Sequence, residues 1–119
     1  MTVSGLIEKA DALFPNVYRF PVKAGWLYDF DKRLVSGFLS KYREEYEIPE
    51  DGLSPDRELL LDEMYTGVYI NYLCMLMELY SGNITGYTNR AALFNSEYLG
   101  FMNDYNRTHL IKSVNIRTD

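Results

Sequence analysis

Residues 68–80 read VYINYLCMLMELY and residues 87–105 read YTNRAALFNSEYLGFMNDY, and these two stretches decide the fold. The first is apolar almost all the way round, which is typical of a helix surrounded by other elements. The second carries large apolar residues at alternating steps of four and three, so they share one seam. That seam consists of Tyr87, Ala91, Phe94, Tyr98, Phe101 and Tyr105. The pair predicts a helical building block that is completed by other elements or by neighbouring copies.

The boundaries of the two helices follow from turn residues. The pattern predicts a third helix from about Asp62 to Tyr80, ended by Gly82-Asn83. It predicts a fourth helix from about Thr85 or Gly86 to Arg107. Because the turn between them is short, the two helices should be antiparallel neighbours in an αα-hairpin.

The N-terminal half predicts two more helices. The first runs from Val3 to Phe14, with Thr2 as its N-cap and Pro15 as its stop. The second begins near Val22, ends before Pro49, and has one apolar stripe with most charged residues, Asp31 included, outside it. That stripe contains Trp26, Leu27, Phe30, Leu34, Phe38 and Tyr42.

The predicted fold class is all-α: a four-helix orthogonal or antiparallel bundle with a long C-terminal αα-hairpin and an extended C-terminal tail. Residues 1–109 form a single helical domain and residues 110–119 the tail. Residues 48–56 are a surface loop by their turn chemistry. Two readings of 59–61 stay open, an extended arm or the lead-in to the third helix. The alternating tail is either frayed or a strand-like arm on a neighbour.

Composition limits the function classes. The 119 residues carry a net charge of −5, which argues against duplex binding through phosphate neutralisation but permits a surface past which DNA moves. The lone cysteine, Cys74, excludes an intrachain disulfide. Neither a signal peptide nor a membrane span is expected, because the most apolar stretch is too short to cross a bilayer.

A search for catalytic chemistry finds almost nothing. His109 is the only histidine, and Cys74 lies in the most apolar segment, where the thiolate is disfavoured. The acidic stretch 44–62 lacks the ligand spacing of a calcium loop, and no glycine loop suits a phosphate. No catalytic, cofactor-binding or metal-binding residue is therefore assigned, and the chain is not expected to be an enzyme.

The adhesive residues are expected on the last two helices and the tail. Tyrosine suits sites that are half-buried or closed by a partner, so the tyrosines are either core-edge residues with the hydroxyl in water or interface residues. Asparagine and arginine either bond across a subunit interface or cap local backbone groups. The candidate interface consists of Tyr69, Tyr72, Tyr87, Asn89, Arg90, Asn95, Tyr98, Tyr105, Arg107 and Ile111.

The phrases RELLL at 57–61, YTGVYINYL at 65–73, YTNRAALFN at 87–95 and DYNRTH at 104–109 carry a family resemblance. Together with TVSGLI at 2–7 and Trp26-Leu27, they resemble small helical proteins encoded by tailed phages and prophages of Gram-positive bacteria. In size and helical order such proteins are similar to siphophage head–tail connectors. Those connectors assemble as rings of about a dozen subunits between the portal and the tail.

This resemblance implies a non-enzymatic subunit whose partners are itself, as a ring or lower oligomer, and portal and tail proteins. It implies neither specific nucleic-acid binding nor a membrane. The protein would lie in the host bacterial cytoplasm during assembly and in the virion afterwards. The alternative is a generic prophage-encoded helical interaction or regulatory module, acting as a monomer or dimer.

Overall fold

The computed structural model describes residues 1–112, so residues 113–119 of the expected tail 110–119 lie outside the described residues. The described chain is all-α with four α-helices, as predicted, and it contains no β-strand within that range. The helices are α1 (Val3–Leu13), α2 (Phe20–Gly37), α3 (Thr66–Tyr80) and α4 (Ile84–Thr108). Two short 3-10 turns, Leu39–Lys41 and Glu63–Tyr65, follow α2 and precede α3.

Local sequence chemistry sets most helix ends. The Thr2 hydroxyl accepts a hydrogen bond from the Gly5 amide and caps α1, as predicted. Asn83 caps α4 in the same way through the Gly86 amide. Gly82 lies between α3 and α4 with φ of 83°, a left-handed conformation that favours glycine. These turn residues let α4 begin four residues after α3 ends and pack along it.

The second helix is shorter than its apolar stripe. It ends at Gly37, and Phe38 has φ of −126° and ψ of −56°, so Phe38 and Tyr42 lie beyond the helix. Both rings still reach α4: Phe38 lies 5.8 Å from Phe101 and Tyr42 lies 4.7 Å from Tyr105, between ring centroids. The helical spacing was therefore misleading here, because glycine weakens a helix and a 3-10 turn keeps the aromatic rings facing the core.

The core is formed where all four helices and the segment before α3 meet. Phe30 lies at its centre and contacts Tyr69, Tyr72, Phe94 and Tyr98, with ring centroids between 5.0 and 6.0 Å apart. Such aromatic pairs add about 0.5–1.5 kcal/mol each beyond their buried area. Fully buried aliphatic residues complete the core around them: Leu6, Leu27, Leu34 and Leu73.

The segment before α3 is an extended lead-in held against the N-terminus. Thr2 and Glu58 form an antiparallel bridge, and the Leu59 amide donates to the Met1 carbonyl at 2.8 Å. Leu59 and Leu61 are buried, so this segment belongs to the core. Of the two readings that the sequence left open, the structure therefore combines both: the residues are extended and lead into α3.

A buried polar cluster fixes this segment to the helices. Asp31 is fully buried, although its position in the sequence predicted the polar side of α2. Its carboxylate accepts hydrogen bonds from Arg57 Nη1 at 2.8 Å, from the Tyr69 hydroxyl at 2.7 Å and from the Leu60 amide at 3.3 Å. The prediction was wrong because Arg57, which compensates the buried charge of Asp31, lies 26 residues away in the sequence, across a loop.

Burial raises the pKa of Asp31 above its usual value, although the hydrogen bonds from Arg57 and Tyr69 oppose the shift. Arg57 also donates through Nε to the Gly52 carbonyl at 2.8 Å. A side chain at Gly52 would collide with the Tyr28 ring, so glycine is needed for this close approach. The cluster thus anchors the acidic surface loop at its C-terminal end.

Candidate interaction surfaces

The hairpin seam faces inward as its spacing predicts. Phe101 and Tyr105 are buried, while Phe94 and Tyr98 are half-buried and stack on each other at 5.4 Å. Tyr72 of α3 lies 5.5 Å from Phe94. The inner face of α4 is therefore occupied by the chain's own core, and any partner must use other surfaces.

The candidate interface residues fall into three groups. Tyr69 is 0% exposed and Tyr105 is 7% exposed, so both are core residues. The sequence pattern had placed them among the candidate interface residues. Their spacing gives the reason, because both lie on helix faces that the chain covers itself. Half-buried positions are Tyr72, Tyr87, Arg90 and Tyr98, and exposed positions are Asn89, Asn95, Arg107 and Ile111.

Apart from Glu97, whose carboxylate lies toward Gly67 of α3, the exposed positions of α4 from 84 to 103, which form its outer face, are uncharged. Its exposed positions up to the last turn include Thr85, Ala92, Ser96, Leu99 and Asn103. Solvated helix faces usually carry charged residues, so a neutral face of this length is unusual.

The charges of α4 lie instead toward α3. Arg90 donates to the Asn71 side-chain oxygen at 3.3 Å. Glu97 lies against Gly67, where an added side chain would collide with its carboxylate. Asp104 accepts a hydrogen bond from the Tyr65 hydroxyl at 3.1 Å. The neutrality of the outer face therefore follows from where the charged residues are used.

A cleft of about 580 Å³ opens beside the C-terminal end of α4. Its lining is mostly apolar and comes from four separate segments, so no local sequence pattern announced it. The lining residues are Leu39, Tyr46, Leu60, Leu61, Asp62, Met64, Tyr65, Phe101, Asp104, Tyr105, Arg107, Thr108 and His109. This volume lies within the range of about 300–1,000 Å³ that suits an inserted ligand or several side chains.

Apart from Asp62, most polar side chains of the cleft are paired with one another. Arg107 donates to Asp104, and the Tyr46 and Tyr105 hydroxyls lie 2.6 Å apart. The His109 ring stacks on Tyr105. Burial raises the pKa of Tyr105 above its usual value, and the hydrogen bond to Tyr46 adds to the shift. The cleft therefore suits an apolar side chain with polar atoms at its rim.

A second apolar surface, which we call the Trp26 patch, lies at the opposite end of α3. It comprises Val17, Tyr18, Val22, Trp26 and Tyr80. Tyr18 and Tyr80 flank Trp26 with ring centroids 5.4 and 5.6 Å away, and the Tyr80 ring is parallel to the indole. Val17 is 93% exposed, Tyr80 63% and Val22 42%. Tryptophan and tyrosine are enriched where protein partners bind most strongly.

Sequence reasoning did not single out either surface. Trp26 was assigned to the core stripe of α2 and Val17 to an extended link. Val17 directly precedes Tyr18, whose ring contacts Trp26, but no sequence pattern marks Val17 as exposed, because its exposure depends on how the link crosses α3. That crossing is fixed by the Tyr18 hydroxyl, which donates to the Met77 carbonyl at 3.4 Å.

The start of the tail contacts its own chain. Ile111 forms an antiparallel bridge with Tyr42, and the Lys112 amide donates to the Lys41 carbonyl at 2.8 Å. The Ile111 side chain is exposed all the same. Within the described residues, 110–112 therefore pair with the chain's own residues 41–43, and the prediction of a frayed tail or of an arm on a neighbour stays a prediction.

Comparisons with models of protein families, with curated proteins and with solved structures found no match. Within residues 1–112 no three acidic, histidine or cysteine side chains are grouped so as to hold a metal ion. None of the four helices combines the length and the hydropathy that crossing a membrane requires.

Proposed function

We propose that this chain is a structural subunit of a phage or prophage head–tail connector ring that acts by protein–protein assembly. One observation supports this proposal above the others. The cleft and the Trp26 patch are unlike apolar surfaces, separated by the length of α3, which is about 22 Å for its fifteen residues. A ring subunit needs two different faces, because head-to-tail contacts close into a circle only if each copy presents both.

The shape and charge of the chain are consistent with this role. The described body measures 58 × 32 × 22 Å, which is elongated enough for contacts at two well-separated places. The net charge of −5 and the neutral outer face of α4 suit a wall past which DNA moves without binding. The resemblance to phage-encoded helical proteins supplies the connector assignment itself.

The finer architecture belongs to the same proposal. It comprises an orthogonal or antiparallel bundle within residues 1–109 and a tail from 110 that takes part in assembly. Portal and tail proteins are the proposed neighbours, with the protein in the host bacterial cytoplasm before assembly and in the virion afterwards.

Electron microscopy of the chain mixed with the portal protein of the same phage or prophage tests this function. Closed rings of about a dozen copies seated on the portal are the expected result. Light scattering over a concentration series, without the portal, shows whether assembly needs a template. A chain that stays a monomer or dimer with the portal present would overturn the connector proposal and favour the alternative, a small helical interaction module.

A further inference from the structure

We propose that the cleft of one copy receives the Trp26 patch of a second copy, with Tyr80 and Val17 entering and Arg19 lying near Asp62. This inference rests on the proposed function, since it specifies the contact through which a ring would close. The occupant is therefore a second copy of this chain.

Chemical complementarity is the first argument. The cleft is mostly apolar and open, and Met64 at its edge is 75% exposed. The patch presents the exposed apolar atoms of Val17 and Tyr80. The Tyr80 side chain is held in place because its ring stacks on Trp26. A ring that is already stacked loses little side-chain freedom on insertion, which favours binding.

Charge complementarity is the second argument. The cleft lining carries two carboxylates, Asp62 and Asp104, against one guanidinium, Arg107. Arg19 directly follows Tyr18 of the patch and is exposed. Among residues 1–112 neither Arg19 nor Asp62 forms an ion pair. An exposed cation beside the patch thus matches an exposed anion at the cleft, which would set the register of docking.

Geometry supplies the third argument. The two surfaces lie at opposite ends of α3, so a copy cannot fill its own cleft with its own patch. Insertion of a patch into a cleft joins two unlike surfaces. Unless two copies exchange their patches reciprocally, an open chain of copies keeps a free patch at one end and a free cleft at the other until a ring closes. This is the pattern that a connector subunit requires.

Disulfide trapping tests the contact directly. Tyr80→Cys and Met64→Cys proteins, mixed at high concentration under mild oxidation, should form a cross-linked dimer several-fold more than either protein alone. Leu53→Cys, an exposed apolar position outside both surfaces, replaces Met64→Cys as the matched control. The native Cys74 is fully buried, and the unsubstituted chain checks that it does not cross-link.

A chain carrying both cysteines should give a ladder of covalent multimers. Position 64 lies just before α3 and position 80 at its end, about 24 Å apart for sixteen residues of helical rise, whereas a disulfide needs Cα atoms within about 7 Å, so the link cannot form within one copy. Yields equal to those of the Leu53→Cys control would overturn the proposal.

Charge reversal sharpens the assignment. Arg19→Glu in the Tyr80→Cys protein and Asp62→Arg in the Met64→Cys protein should each lower the yield several-fold, and combining the two should restore it. Arg33→Glu and Asp56→Arg, reversals at other exposed positions, should change little. Failure of the combined reversal to restore the yield would remove the Arg19–Asp62 contact.

Other occupants have distinct outcomes. Preferred cross-linking of Met64→Cys to a cysteine placed at Ile116 would assign the cleft to the chain's own C-terminal residues and overturn the proposal. Rings on the portal without Tyr80–Met64 trapping would leave the connector function standing and refute only this contact. Tyr80–Met64 trapping without rings on the portal would support this contact and refute the connector function.

Discussion

Two groups in this molecule use the same three residue types and differ in burial. Asp31, Arg57 and Tyr69 meet in the core, where the aspartate and arginine side chains are 0% and 1% exposed. Asp104, Arg107 and Tyr65 meet at the cleft, and there the corresponding values are 43% and 68%.

The difference determines what each group can do. In the core the ions are out of water, and breaking their pairing leaves a charge with no partner. At the cleft, water replaces any lost contact, so the pair adds little to stability and its atoms stay accessible to a partner. The same three residue types thus stabilise the core in one group and leave the other group accessible to a partner at the cleft. The following variants test this contrast.

Asp31→Ala should have the largest effect, a loss of about 3–5 kcal/mol in the free energy of unfolding, because Arg57 would remain buried without its carboxylate. Urea denaturation followed by circular dichroism measures it. The double variant Asp31→Leu/Arg57→Met should recover much of the loss, since no unpaired charge remains. A loss below about 1 kcal/mol for Asp31→Ala would mean that water reaches the cluster.

Tyr69→Phe should cost about 1.5–3 kcal/mol, because its hydroxyl donates to a carboxylate and accepts from the Leu61 amide in the core. The same change at Tyr65, whose hydroxyl binds the half-exposed Asp104, should cost clearly less. Tyr72→Phe is the control, since Tyr72 is half-buried and its hydroxyl forms no hydrogen bond within residues 1–112. Equal losses at Tyr69 and Tyr65 would contradict the contrast.

Raising the pH should reduce the stability of the protein through the ionisation of Tyr69 and Tyr65. Burial raises the pKa of Tyr69 and Tyr65 above the ordinary value of 10.0, with Asp31 and Asp104 adding to the respective shifts. A raised folded-state pKa gives stability that is complete below pH 10 and declines as the pH rises through the folded value. The free energy of unfolding, measured between pH 8 and 11, should therefore decrease as the pH rises, and the decrease should be smaller for Tyr69→Phe. A pH-independent stability would show that both phenols ionise as freely as in the unfolded chain.

Asp104→Ala should change stability least, by about 0–1 kcal/mol, because its partners are solvated. Thermal and urea unfolding of this variant beside Asp31→Ala give the direct comparison. A loss as large as that of Asp31→Ala would show that the cleft pair is part of the core.

Local patterns predicted what local physics decides. The Thr2 cap, the turn at Gly82 and the inward seam of α4 depend on residues within a few positions of each other, so the sequence alone was sufficient. Asp31 was misplaced because Arg57 approaches from a distant loop, and periodicity along α2 contains no trace of that partner. The cleft and the Trp26 patch arise where separate segments meet, so they required the folded chain.

The position of Trp26 between a tilted Tyr18 ring and a stacked Tyr80 ring has a practical consequence. Since the chain has one tryptophan, its intrinsic fluorescence reports on that single place. Removing water from the indole on contact with another molecule would shift its emission to shorter wavelength without any attached dye. Trp26 is therefore an intrinsic fluorescent probe of the surface that is expected to be covered on assembly.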